Sequence, residues 1–152
     1  MQGGGKMILP ITLTIAGAAA ILNLWLAIRI VAVRVKGKVL IGDGGNALLS
    51  ARMRAQLNFI EYTPLVLILM GLIEFARGTN HWLWGAGIIY IIGRVLHPFG
   101  LDRQTANPLR AAGILTTWAV LLGLAIYALT IPYTTRDGVI TTVTSDSLGA
   151  GH

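Results

Sequence analysis

The sequence predicts an all-α integral membrane protein, a bundle of four helices. Three observations predict it. The chain is 55% hydrophobic and only 12% charged, with a mean hydropathy of +0.71. Its apolar residues gather into four runs joined by short polar connections, and its lysines and arginines mostly flank those runs. A water-soluble domain carries about a quarter charged residues. Halving that fraction while adding apolar mass calls for lipid as the solvent. The net charge of +6 and a pI near 10.3 would suit nucleic acid. The basic residues lie beside apolar runs, however, and no aromatic or glycine-rich nucleic-acid module is present, so nucleic acid is rejected as a partner. The 152 residues include no cysteine, which removes disulfides, a thiolate nucleophile of the chain's own and cysteine metal sites. No metal site is expected.

The first span covers roughly residues 9–33. It is too long for the core of a signal peptide, and no small-residue cleavage site follows it. Within it, Asn23 reads as bundle glue and Arg29 as an interfacial snorkeller. The second apolar run, about 59–75, is short. Its helix is expected to begin earlier, capped by Asn46 or Gly45 after the glycines of "VKGKVLIGDGG" break the first helix. The third run, about 82–96, is also short, with Trp82 and Trp84 marking an interface. The fourth, about 109–131, starts at "NPLRAAG". Asn107 suits the cap and Pro108 the first helical position, and the run ends at Pro132-Tyr133. A span needs about 20 residues, so the second and third helices extend into their flanks or rest on neighbours. Glycines 71, 85, 87, 93, 113 and 123 are expected at close helix contacts. Trp25, Trp82, Trp84 and Tyr133 read as belt and packing. Residues 1–8 read as a flexible leader, with Met7 a candidate natural start. Residues 9–133 form the membrane domain, and 134–152 a polar, flexible tail.

Charge sets the expected orientation. The first connection holds Arg34, Lys36, Lys38, Arg52 and Arg54, and the third adds Arg103 and Arg110. The other side has Lys6, Arg77 and Arg136. The positive-inside rule then places connections one and three in the cytoplasm and both termini outside.

The stretch "RMRAQLNFIEYTP" loads polar groups onto the mouth of an apolar helix. Arg54, Asn58 and Glu61 fall at i, i+4 and i+7, one helical stripe that turns apolar at Leu65 and Leu69. Ionisable groups at membrane depth cost about 3 kcal/mol each on insertion scales, so they face inward and find partners. Arg54 and Glu61 are almost two turns apart, too far to pair along the helix. Arg94 and His97, in "GRVLHPFG", sit at i and i+3 near the cytoplasmic end of the third helix. Arg110 lies in the first turn of the fourth helix, and Arg34 ends the first on the same side. Such a set suits an anionic, water-soluble ligand whose reactive end approaches the lipid. Plainer readings stand beside it. Arg34, Arg52 and Arg103 could be snorkelling topology markers, and Glu61 with Arg94 a structural ion pair between helices. His97 could be an ordinary helix-end residue, and Tyr62 either packing or binding.

Three motifs in order carry a resemblance. "RAQLNFIEYTP" resembles the second-helix signature of the MAPEG family, the membrane-associated proteins of eicosanoid and glutathione metabolism. "GRVLHPFG" and "NPLRAAG" resemble its third- and fourth-helix signatures. The spacing from Arg94 to Arg110 is similar to that of the family's prostaglandin E synthase branch. The second-helix pattern is closer to its leukotriene C synthase branch. The resemblance spans about residues 10–131, and the short loops lean toward a bacterial member of the inner membrane.

The resemblance implies a homotrimer that binds glutathione between protomers near the cytoplasmic face. Arg54, Asn58 and Glu61 would hold glutathione, with Glu61 opposite its amino group. Arg34, Arg94, His97 and Tyr62 would add contacts or support. Arg110 matches the arginine that stabilises the thiolate, the one catalytic residue the resemblance assigns. A lipophilic electrophile or hydroperoxide would enter from the bilayer. Leu101 and Ile114 stand where the prostaglandin enzyme has tyrosines, and Ala111 where it has a serine. These departures weigh against the isomerase reaction and leave thiolate conjugation or hydroperoxide reduction as the expected activity. The competing classes are a small transporter and a structural or binding subunit. A small four-helix exporter would need a carboxylate within the first span, which has none.

Overall fold

The computed structural model describes residues 8–103 and 105–134. Apart from Ile8 and Thr134, the leader and tail expected from the sequence lie outside the described residues. Four helices follow in order: α1 Pro10–Gly37, α2 Ala47–Arg77, α3 His81–Asp102 and α4 Pro108–Thr134. No strand interrupts them among the described residues.

Each helix start has a local chemical reason. Asn46 Oδ1 accepts from Leu49 N at 3.0 Å and opens α2, twelve residues or so ahead of the apolar run, as its position predicts. Asn80 does the same for α3 through Leu83 N at 2.9 Å, and Asn107 for α4 through Arg110 N at 3.1 Å. The first helix differs. Its cap position is Leu9, with no side-chain acceptor. The free N–H groups of Ile11 and Thr12 are met instead by Glu74, 3.0 and 2.8 Å away near the far end of α2. A carboxylate there also complements the positive end of the α1 dipole.

α1, α2 and α4 are long and apolar enough to cross a membrane. α3 is shorter, and Arg94, His97 and its aromatics dilute its apolar character. Its 22 residues still reach about 33 Å at 1.5 Å per residue, close to the hydrocarbon thickness of about 30 Å. α3 packs most extensively on α4, and α1 on α2. α2 and α3 touch each other, while α1 and α4 share no contact and flank the central pair. One apolar core gathers Ile11, Ile15, Val66, Met70, Tyr90 and Leu124 at the α1 N-terminal end. A second, with Leu22, Leu26, Ala55, Phe59 and Leu101, leads to the charged end. Outside these cores the helices display Ile21, Leu24, Ile68, Leu72, Leu122 and Leu129, all more than half exposed. Large side chains of this kind around a whole bundle fit lipid rather than water.

Several sequence expectations change on contact with the structure. Gly87, Gly93 and Gly113 do sit where a Cβ would collide with a neighbouring helix, and Gly71 touches Thr12 at ordinary distance. Gly85 and Gly123 face open space. Gly100, which the sequence reading passed over, has the tightest fit: an added Cβ would lie 2.4 Å from Arg110 N. Pro132 continues α4 instead of ending it. Arg29 is no free snorkeller. It pairs with Asp102 at the end of α3 and stacks over Trp25, 4.5 Å from the ring centroid. Arg52 joins the same cluster, donating to Arg29 O at 2.8 Å with its other nitrogen 3.7 Å from Asp102. This ties α1, α2 and α3 together at one end and removes Arg52 from the simple topology markers. Trp25 packs on Phe99 within the cluster, and Trp82 meets Tyr127 edge-on at 4.8 Å, so both are packing residues. Asn23 meets Gln56 Nε2 at 3.4 Å, in keeping with a role as glue between α1 and α2.

Candidate functional site

The stripe on α2 meets the ends of α3 and α4 in an open crevice of about 380 Å³. Arg54, Asn58 and Glu61 form one wall; His97, Leu101, Arg110, Ile114 and Trp118 form the other. Helical spacing puts the three α2 residues on one face. Gly93, Gly100 and Gly113 let α4 come close enough to α3 for Arg110 to face that wall. Arg110 occupies the first turn of α4, where the helix dipole is positive.

Three charged side chains of this crevice make no ion pair among the described residues. Among the described residues, the side chains of Arg54, Glu61 and Arg110 make no ion pair and no hydrogen bond. Arg54, Glu61 and Arg110 are also exposed. The pairing of Glu61 with Arg94, one of the plainer sequence readings, is therefore absent.

Arg94 does something else. It is 1% exposed and lies behind the wall rather than in it. Its Nη1 donates to Asn58 Oδ1 at 2.9 Å and to Thr117 Oγ1 at 3.2 Å, and its guanidinium sits 5.3 Å from the centre of the Phe59 ring. Arg94 thus fixes Asn58 Oδ1, which leaves the amide N–H₂ of Asn58 as the group free to donate. Thr117 anchors the arrangement from α4, its hydroxyl donating to Gly113 O at 2.9 Å. The sequence reading missed Thr117. A threonine four residues after a contact glycine was the available signal.

His97 is buried and accepted into the crevice wall, with Nδ1 3.2 Å from Arg110 O. The contact ties the end of α3 to the first turn of α4. Pro98 follows within the helix, and its missing N–H frees the carbonyl of Arg94 from the α3 ladder. Tyr62 is held at the rim, where Trp118 Nε1 donates to its hydroxyl at 3.2 Å. Trp118 is a second residue the sequence reading did not select. Leu101 and Ile114 line the crevice as the family comparison of positions anticipated, and they bring no hydroxyl to it.

Arg34 is not brought to this crevice. It lines a separate groove between α1 and α2, with Ile30, Ser50, Met53, Gln56 and Leu57, and its guanidinium reaches Leu40 O and Met53 Sδ. Arg54 borders both hollows. Of the residues selected from sequence, five share the crevice, Tyr62 and Arg94 flank it, and Arg34 stands across α2. Within one chain the expected convergence of all seven charged and polar groups is therefore incomplete. The physical reason is geometric: α1 packs on the opposite side of α2 from α4.

Comparison with known proteins agrees with this architecture. A family model described as "MAPEG family" matches residues 12–130. The chain is 30% identical over 105 residues to "Inner membrane protein YecN" of Escherichia coli (strain K12). The match covers 68% of this chain and 79% of that protein. The protein of the same name from Escherichia coli O6:H1 (strain CFT073) matches to the same extent.

Proposed function

The chain belongs to the MAPEG family of membrane proteins, and from that membership and the crevice between α2, α3 and α4 we propose that it is a glutathione-dependent membrane enzyme. Its reaction is conjugation of the glutathione sulfur to a lipophilic electrophile, or reduction of a lipid hydroperoxide. The observation that carries this reading is the set of unpaired charges: two arginines and one glutamate around a single open crevice at the end of a lipid-facing bundle. Like charges held at one depth repel unless a complementary ligand sits among them. A tripeptide with two carboxylates and one ammonium supplies that complement.

Glutathione would supply the nucleophilic thiol. Arg54 binds a carboxylate and Glu61 the ammonium group. Asn58, its carbonyl held by Arg94, donates from its amide to the peptide backbone. Arg110, at the positive end of α4, holds negative charge on sulfur, as a cation and a helix N-terminus together lower a thiol pKa. The apolar wall of Leu101 and Ile114 excludes water and accepts the oily co-reactant, which reaches the crevice laterally past Tyr62 and Trp118. Without a hydroxyl at Leu101, Ala111 or Ile114 there is no second donor beside Arg110, which disfavours isomerase chemistry. Arg34 reaches the ligand from a neighbouring protomer of a homotrimer, whose α1–α2 groove would close the open side of the crevice. The crevice faces the cytoplasm, with both termini on the periplasmic side, on the distribution of cations.

The test is direct. Purified protein in detergent should bind glutathione saturably at millimolar concentration and develop ultraviolet thiolate absorbance. Failure of both would overturn the reading. Arg110→Ala should abolish the absorbance and the turnover while glutathione still raises the unfolding temperature.

A further inference from the structure

We propose that the turn joining α1 to α2 is a binding surface for anionic phospholipid, holding headgroup phosphate on Lys36 and Lys38 while Leu40 and Ile41 enter the acyl boundary. The 28 residues of α1 extend about 42 Å, some 12 Å beyond a hydrocarbon core of about 30 Å. Measured from Pro10, the last two turns therefore stand in the headgroup layer, and they carry Arg34 and Lys36. At Lys38 the backbone turns left-handed, with φ 53°, and Val39 N bonds back to Arg34 O at 3.0 Å. This reverses the chain. Arg34 Nη1 then donates to Leu40 O at 3.3 Å, folding the tip back to the level of Arg34, about one turn short of the helix end and nearer the hydrocarbon.

The tip holds the most exposed large apolar side chains among the described residues. Leu40 is 93% and Ile41 91% exposed, and Val35 beside them 73%. Between tip and helix lies a hollow of about 550 Å³ lined by Val31, Arg34, Val35, Lys38, Val39 and Leu40. Lys38 lines this hollow and Lys36 the neighbouring one beside Asn46, and neither ion pair among the described residues involves either lysine. An apolar tip flanked by two lysines that make no ion pair among the described residues, at the depth of the headgroups, matches a phosphodiester above acyl chains. A zwitterionic lipid would bring its own cation into the same place and bind less well. This surface stands on the end of α1 and the turn after it, and it does not depend on what the α2–α4 crevice binds.

The chain has no cysteine, so a single Leu40→Cys can carry an environment-sensitive dye. The labelled full-length protein is placed in phosphatidylcholine vesicles containing phosphatidylglycerol, with a quencher carried high on the acyl chain of one lipid or the other. The expected result is blue-shifted emission and preferential quenching by the phosphatidylglycerol. The preference should fall about fivefold for each of Lys36→Gln and Lys38→Gln, the ratio that corresponds to about 1 kcal/mol per cation at an anionic surface. Equal quenching by both lipids would overturn the proposal, since the contact would then be apolar only. Solvent-like emission, or shielded emission without quenching by either lipid, would overturn it too, the latter meaning that a second copy covers the tip. Restoration of the blue shift by inorganic phosphate in pure phosphatidylcholine would assign the cations to a free anion instead.

Discussion

Two glutamates on α2 face opposite fates. Glu74 is 2% exposed, and both its oxygens are satisfied: Oε1 accepts from Ile11 N and Thr79 Oγ1, Oε2 from Thr12 N and Thr12 Oγ1. Glu61, nearer the charged end of the same helix, is exposed, and its side chain makes no ion pair or hydrogen bond among the described residues. A buried carboxylate with a complete set of donors is fixed to the fold. A carboxylate set between two unpaired arginines in a crevice is free to receive something else. The same contrast holds among the arginines. Arg29 and Arg52 meet Asp102, whereas the side chains of Arg54 and Arg110, at the same end, make no ion pair among the described residues.

Substitutions can break this contrast in order of size. Arg110→Ala should lower turnover by about three orders of magnitude, roughly 4 kcal/mol, as for loss of a preorganised donor to developing negative charge. Stopped assays with saturating glutathione check it, and an unchanged rate would leave Arg110 a topology marker. Glu74→Ala should cost about 3 kcal/mol of stability, because four donors lose their acceptor at the start of α1. Thermal unfolding in detergent measures it, and glutathione affinity below the transition should be unaltered. Arg94→Met should raise the glutathione Kd about tenfold by freeing Asn58 to turn, roughly 1.4 kcal/mol. Calorimetric titration would show no change if Asn58 does not touch the ligand. Glu61→Gln should weaken binding by a similar or smaller factor yet shift stability by less than about 0.5 kcal/mol, as exposed substitutions do. A large stability loss there would erase the distinction between the two glutamates.

Much of the charged end was legible because its signals are local. The caps Asn46 and Asn107, the stripe of Arg54, Asn58 and Glu61, and the placing of Arg94 and His97 one turn apart on one helix all follow from spacing along the chain. What escaped depends on helices distant in sequence meeting at one register. Glu74 looks like an end-of-helix charge until α1 is placed beside it. Arg29 looks like a snorkeller until Asp102 arrives from α3. The sequence suggested Glu61 as a partner for Arg94, and only the packing of α2, α3 and α4 gives it Asn58 and Thr117 instead. Arg34 was assigned to the crevice by membrane depth alone. Depth is readable from the sequence, but the side of the bundle on which a helix packs is not.

The contact of Gly100 with the main chain of Arg110 has a consequence for how such a protein can diversify. The arginine is located through its main chain, by close contact with the Gly100 backbone and by the His97 and Asn107 side chains bonded to its O and N. Leu101, Ala111 and Ile114 can therefore be exchanged for bulkier, smaller or hydroxylated residues while the cation stays put. A lineage carrying this hairpin is free to trade one greasy co-reactant for another by point substitution, provided the glycine is kept.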